Sequence, residues 1–238
     1  MFQSKKGSFF LLLSVAFLLC CCSLFIKKPA LSVFGIRSAT SSPQRPTILL
    51  DAGHGGRDPG KVSVQGILEK DINLAIVMKV KQLLANHPVN VILTREEDKD
   101  LSTTDTNYKT SDLDNRIRLI QETSPVLAVS IHQNSYPDPS VIGAQCFYHK
   151  ESEQSRQLAS LLQQQIILTT SQTKIREIKN NESYYLLKYS PVTTAIVECG
   201  FLSSPEEEVL LTSPDYQDKL AWAIHLGILQ YLNSISSS

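Results

Sequence analysis

The sequence predicts an α/β fold: a single domain built on a twisted, mostly parallel sheet. Two observations carry that expectation. Short apolar runs of strand length alternate with segments of helical periodicity, the order that builds parallel sheets. Polar residues with binding or catalytic chemistry, His54, His132 and Glu198, follow three of those runs directly or nearly so. Ligands of open α/β sheets collect outside the carboxyl ends of strands, so the same pattern also predicts where a site lies. A third feature marks the place: of the chain's 10 glycines, Gly53, Gly55, Gly56, Gly60 and Gly66 crowd into the loop after the first run.

Taken in order, residues 1–7 read as a short tail and residues 8–26 as a signal anchor. That segment carries no charge, spans about 28 Å as a helix, close to a bilayer's hydrocarbon core, and follows Lys5 and Lys6. Lys27-Lys28-Pro29 ends it with no small-x-small cleavage site, which favours an uncleaved anchor over a removed signal peptide. Lysines flank the run on both sides, so the positive-inside rule alone leaves orientation open. The very short first tail favours keeping the amino terminus inside and the rest outside the membrane. A cleaved form would be secreted. Cys20, Cys21 and Cys22 lie in this run, but Leu19 is too large for a lipoprotein site. Residues 27–46, rich in Ser, Pro, Thr and Ala, read as a linker.

The domain proper is expected over 47–233, followed by a tail at 234–238. Thr47 to Leu50 is a strand, then the glycine loop. Ile72, Ala75, Ile76, Val80, Leu83 and Leu84 recur at helical spacing from Glu69 to Asn86, with Pro88 beyond the end. Val89 to Thr94 is a strand, Arg95 to Ser111 a polar loop and Leu113 to Glu122 a helix. Val126 to Ile131 is continuously apolar, as in a strand buried on both faces. Gly143 to Tyr148 is a strand and Glu151 to Leu168 a helix. After a polar stretch, Thr194 to Val197 is a strand, and Pro205 to Leu211 and Asp215 to Leu232 are closing helices. The balance of 23 basic against 23 acidic residues gives no sign of a nucleic-acid partner. Cys146 and Cys199, the two cysteines after the anchor, do not make a disulfide framework.

Two histidines and a glutamate are a known ligand set for catalytic zinc, which keeps one position for water. His54, Glu69 and His132 supply that set, and Glu198 is the carboxylate placed to act as general base. Each residue alone has a plainer reading: a surface histidine, a favourable charge at a helix start, a structural glutamate. Their joint placement at one sheet edge supports metal-assisted hydrolysis of an amide or ester but leaves the structural readings open.

Asp51-Ala-Gly-His-Gly-Gly-Arg-Asp-Pro-Gly60, Glu69, Ser130-Ile-His-Gln-Asn-Ser135 and Val197-Glu-Cys-Gly-Phe-Leu-Ser203 resemble the motifs of the zinc-dependent N-acetylmuramoyl-L-alanine amidases of the type 3 family. Thr94-Arg95 and Arg116 match in kind and order. The resemblance implies a sheet of about six strands flanked by helices, zinc held by His54, Glu69 and His132, and Glu198 as the catalytic glutamate. It further implies peptidoglycan as substrate, cut between the lactyl group of muramic acid and the L-alanine of the stem peptide. Asn134 is expected beside the site, either to orient substrate or as a turn residue. Arg95 and Arg116 are expected in structural ion pairs before substrate contacts. Cys199 beside Glu198 departs from the usual pattern. The short form with an anchor, with Gly143-Ala-Gln-Cys-Phe-Tyr148 and Tyr184-Tyr-Leu-Leu187, resembles the spore-cortex, germination-specific group (CwlD type) of the family. The alternatives are a vegetative wall-turnover amidase, a zinc carboxypeptidase and a silent peptidoglycan-binding domain. An activating partner protein is left open.

Overall fold

The order of the sheet explains why distant segments of the chain meet. The computed structural model describes residues 45–170 and 174–236. The expected anchor at 8–26 and most of the linker lie outside them. Among the described residues no helix is long and apolar enough to cross a membrane.

Six strands form one sheet in the order β2-β1-β3-β6-β4-β5. They are β1 (Thr47–Ala52), β2 (Asn90–Leu93), β3 (Leu127–Asn134), β4 (Gln145–Tyr148), β5 (Lys179–Asn180) and β6 (Thr193–Phe201). β2, β1, β3 and β6 run parallel, β4 pairs antiparallel with β6, and β5 is parallel to β4. The mostly parallel sheet is therefore as expected, with one reversal near an edge. The helices are α1 (Glu69–Leu84), α2 (Tyr108–Thr123), α3 (Glu153–Thr170), α4 (Tyr185–Tyr189), α5 (Pro205–Thr212) and α6 (Pro214–Ser236).

The two faces of the sheet are unequal. Ile48, Leu50, Leu127, Val129, Ile131, Ala195 and Val197 point to one face and pack into the main core with α1, α3 and α6. α1 owes its place there to Ile72, Ile76, Val80 and Leu84, each at most 4% exposed. Burying each such side chain contributes about 1.5–3 kcal/mol. The other face carries Leu49, Ala128, Phe147 and Ile196 under Ile117 and Ile120 of α2 and Leu186 and Leu187 of α4. Because side chains alternate along a strand, this second face also carries Asp51, Ser130, His132 and Glu198. It is covered by α2 and the five-residue α4, and Asp51, Ser130, His132 and Glu198 line an open cleft there.

Several boundaries differ from the expected ones. α2 begins at Tyr108, inside the stretch expected to be loop, because its first turn is polar and its buried side begins only at Asp112. β3 and β6 run on through His132 and Glu198 to Asn134 and Phe201, so both residues lie within strands and not after them. β5 and α4 occupy the polar stretch, two and five residues long, below the length at which periodicity shows.

Candidate metal centre and cleft

His54, Glu69 and His132 offer ligand atoms that all lie within 4.8 Å of one another, a cluster that could hold a metal ion. They come from three elements. His54 leaves β1 in the glycine loop, Glu69 opens α1, and His132 sits in β3. His54 Nε2 is 3.2 Å and His132 Nδ1 2.9 Å from the same oxygen, Glu69 Oε1. The imidazole rings stand nearly perpendicular, 81° apart, with centroids 4.9 Å apart.

The loop achieves this through unusual backbone. His54 itself has φ 62°, a left-handed value rare outside glycine. It is held there by Arg116, which donates to the His54 carbonyl at 2.7 Å, and by Asp58, whose Oδ2 lies 2.7 Å from Nδ1. Asp58 thereby fixes the ring so that Nε2 faces Glu69. Two glycines make room. A Cβ on Gly53 would stand 2.2 Å from the His132 ring, and one on Gly60 would stand 2.6 Å from both Glu69 Oε2 and His54 Cδ2.

Glu69 is tied as closely. Its Oε2 accepts from the Lys61 amide at 2.7 Å, and its Oε1 from the Gln133 amide at 3.0 Å and from Asn73 Nδ2 at 3.3 Å. The β3–β6 register shifts between His132 and Asn134, and the Gln133 amide turns to Glu69 at that irregularity. Burial opposes ionising Glu69, but the hydrogen bonds and charges of His132 and His54 outweigh it and hold the carboxyl far below its usual range. For His54 burial favours the neutral ring, yet the hydrogen bonds to Asp58 and Glu69 raise it to about 9. The donor set fits a zinc-type ion: two imidazole nitrogens and one ionised carboxylate, converging and oriented by further hydrogen bonds.

Glu198 stands beside His132 as its register partner across β3 and β6. It is 7% exposed, its Oε1 accepts from the Tyr184 hydroxyl at 3.3 Å, and its Oε2 is buried with no hydrogen-bond partner among the described residues. Burial, reinforced by the Glu69 charge and opposed by His132, pushes its carboxyl up to about 7. A buried carboxylate poised near neutrality suits a general base. Cys199, next in sequence, points to the opposite face, fully buried in the main core, and its thiol is pushed up by that burial. It is therefore no ligand to this cluster.

Asn134 ends β3 at the mouth of the cleft. Its Oδ1 accepts from the Ser135 amide at 2.8 Å, as a turn residue would, and the residue also lines the cleft. Arg116 is a structural ion-pair residue, 2% exposed, bonded to Asp51 and to Asp112 at 2.7 Å. Arg95 departs from expectation: it donates not to carboxylates but to the carbonyls of Ala52, Gly53, Lys70 and Glu97 at 2.7–3.2 Å. The whole forms a cleft of about 640 Å³, with Lys109, Ser135, Ser183, Tyr184 and Tyr185 around its rim. Asp58 and Tyr184 were not singled out from sequence. Asp58 could have been found as the acidic residue four positions after a loop histidine.

The chain matches the N-acetylmuramoyl-L-alanine amidase family Amidase_3 over residues 48–230. It is similar to the germination-specific N-acetylmuramoyl-L-alanine amidase of Bacillus subtilis (strain 168), 38% identical over 188 residues that cover 77% of this chain and 78% of that one. Among solved structures it is similar to the CwlD amidase of Clostridioides difficile in complex with the GerS lipoprotein: 40% identity, TM-score 0.77, 80% of this chain and 100% of that one. An N-acetylmuramoyl-L-alanine amidase from Clostridium difficile 630 is 31% identical with TM-score 0.73, covering 80% of this chain and 98% of that one.

Proposed function

The chain belongs to the N-acetylmuramoyl-L-alanine amidase family, and from that premise we propose that it hydrolyses peptidoglycan between the lactyl group of muramic acid and L-alanine, with zinc as its metal. The observation that carries the reading is the convergence of His54, Glu69 and His132 within 4.8 Å beside a buried Glu198 carboxylate. A carboxylate of that kind has a use in hydrolysis and none in mere binding.

His54 through Nε2, His132 through Nδ1 and Glu69 through its carboxylate are the groups that would hold the ion. Zinc bound there supplies a Lewis acid for the amide carbonyl and makes water acidic enough to attack near neutral pH. Glu198 takes the proton from the attacking water and delivers it to the L-alanine nitrogen as the amide breaks. Asp58 and Arg116 keep His54 in its strained conformation, and Asn134, at the rim, meets the substrate. The Gln133 and Lys61 amides fix the orientation of the Glu69 carboxylate.

The 38% and 40% identities to a germination-specific amidase and to CwlD support spore-cortex processing as the setting, over vegetative wall turnover. That CwlD was solved with a lipoprotein supports an accessory protein partner here as well. Residues 8–26 as an anchor would leave the catalytic domain outside the cytoplasmic membrane, where the substrate is. The test is metal content and activity together. Purified protein should carry one zinc per chain, lose hydrolysis of peptidoglycan on chelation, and regain it with zinc. Full activity after complete chelation would refute the reading.

A further inference from the structure

Tyr184 lies outside the metal cluster, yet its hydroxyl makes the one hydrogen bond found for the Glu198 carboxylate among the described residues, to Oε1 at 3.3 Å. The two carboxylate oxygens are therefore unequal: Oε1 is engaged and Oε2 is buried and unpartnered. A carboxylate without such a bond turns freely about its last torsion, which is broad and two-fold, and exchanges its two oxygens. We propose that Tyr184 is a positioning residue for catalysis: its hydroxyl pins Oε1 so that Oε2 is the oxygen that receives the proton of the attacking water. The inference rests on the hydrolytic role given to Glu198 above.

The surroundings of Tyr184 are built to hold that hydroxyl in place. Asn181 Oδ1 accepts from the Ser183 amide, the Tyr184 amide, both at 2.8 Å, and the Ser183 hydroxyl at 2.9 Å. The Asn181 amide in turn donates to the Tyr148 carbonyl at 2.9 Å, tying the turn to the end of β4. The Tyr184 ring packs edge-on against Phe147, centroids 5.4 Å apart, and α4 behind it buries Leu186 and Leu187 in the second core. Burial and the Glu198 charge push the Tyr184 hydroxyl above its ordinary range. It therefore stays protonated and remains a donor throughout turnover. In the proton transfer the water O–H bond breaks and an O–H bond to Oε2 forms, while the Tyr184 proton stays where it is.

The test is Tyr184→Phe in the zinc-loaded protein, which keeps the ring against Phe147 and removes only the hydroxyl, with Tyr184→Leu as a packing comparison. The bond is long at 3.3 Å, but its acceptor is charged when Glu198 acts as base, so Tyr184→Phe should lower kcat about tenfold. KM for a soluble muramyl peptide should stay within about twofold, with zinc content and melting temperature unchanged. Wild-type kcat in Tyr184→Phe would overturn the inference. So would a loss of activity that follows zinc content or appears in KM, since it would place the hydroxyl at the metal or on the substrate. If the wild-type protein itself releases no L-alanine amino termini, the amidase reading fails first and the inference falls with it. An active wild type with an equally active Tyr184→Phe fails the inference alone.

Discussion

Replacing Gly60 with alanine is the sharpest local test of how the loop builds the metal cluster. A Cβ at Gly60 would stand 2.6 Å from Glu69 Oε2, 2.6 Å from His54 Cδ2 and 2.9 Å from Glu69 Cβ. Carbon contacts are favourable only near 3.5–4.0 Å, so the ligands must retreat by about 1 Å. Gly60 also has φ 66°, which strains an alanine by roughly 1–2 kcal/mol. Gly66 supplies the comparison: its φ is 84°, but an added Cβ meets nothing within 4 Å. Both variants should lose about 1–2 kcal/mol of backbone stability, or roughly 2–8 °C in Tm for a domain of this size. Only Gly60→Ala should also weaken zinc binding, by about tenfold or more, as disturbance of the groups that orient a ligand does. Equilibrium dialysis against a zinc buffer, beside thermal melts, separates the two effects. Equal zinc affinity in Gly60→Ala and Gly66→Ala would refute the claim that Gly60 exists to let His54 and Glu69 meet.

Other expectations follow from the same geometry. Glu198→Ala should keep its zinc and lose about 10²–10⁴-fold in kcat, whereas His54→Ala should lose both, as metal analysis and turnover on muramyl peptide would show. The rate should fall as pH drops, because Glu198 acts ionised. Its carboxyl sits at about 7 before the charge of the ion is counted, so the midpoint lies at or below that value once zinc is bound. Asp58→Ala keeps the three ligand residues but frees His54 Nδ1 and loosens the hold on its ring, and titration should show zinc affinity weaker by about 10–100-fold. Arg116 and the Ser130 hydroxyl outweigh the burial of Asp51 and lower its carboxyl from 3.8 to about 2. With the folded value below the unfolded one, this interaction stabilises fully above about pH 4 and is lost as pH falls through 2. It is worth about 2 kcal/mol at neutral pH. Acid denaturation of Asp51→Asn should be shallower in that window. Arg116→Ala, which strands Asp51 uncompensated, should cost about 3–5 kcal/mol at pH 7 in urea melts.

What the sequence made legible was the geometry that repeats. An apolar run such as Val126 to Ile131 marks a strand buried on both faces, and a polar residue at its end marks the open edge. His132, Glu198 and the loop carrying His54 could be placed at one edge before any coordinates. Glu69 was legible because an acidic residue opened a helical pattern. Features set by non-periodic contacts were not legible. The role of Asp58 depends on the left-handed backbone of His54, which pattern does not reveal. Arg95 was expected in an ion pair, but the carbonyls that surround it come from four separate positions that only the folded loop brings together. The start of α2 at Tyr108 escaped notice because Asn107 offers no side-chain cap and the first turn contains no buried residue. Tyr184 sits before a five-residue helix with no periodicity, and the Glu198 carboxylate that its hydroxyl reaches at 3.3 Å belongs to a separate strand.

The most direct test of the account is the identity of the bond that is cut. Purified peptidoglycan treated with the zinc-loaded protein should yield new L-alanine amino termini, detected by amine labelling and mass spectrometry, while the glycan strands keep their length. Stem peptides should appear free of muramic acid, and the Glu198→Ala protein should release none. Release of D-alanine with no L-alanine amino termini, or shortened glycan with every stem peptide still attached, would contradict it.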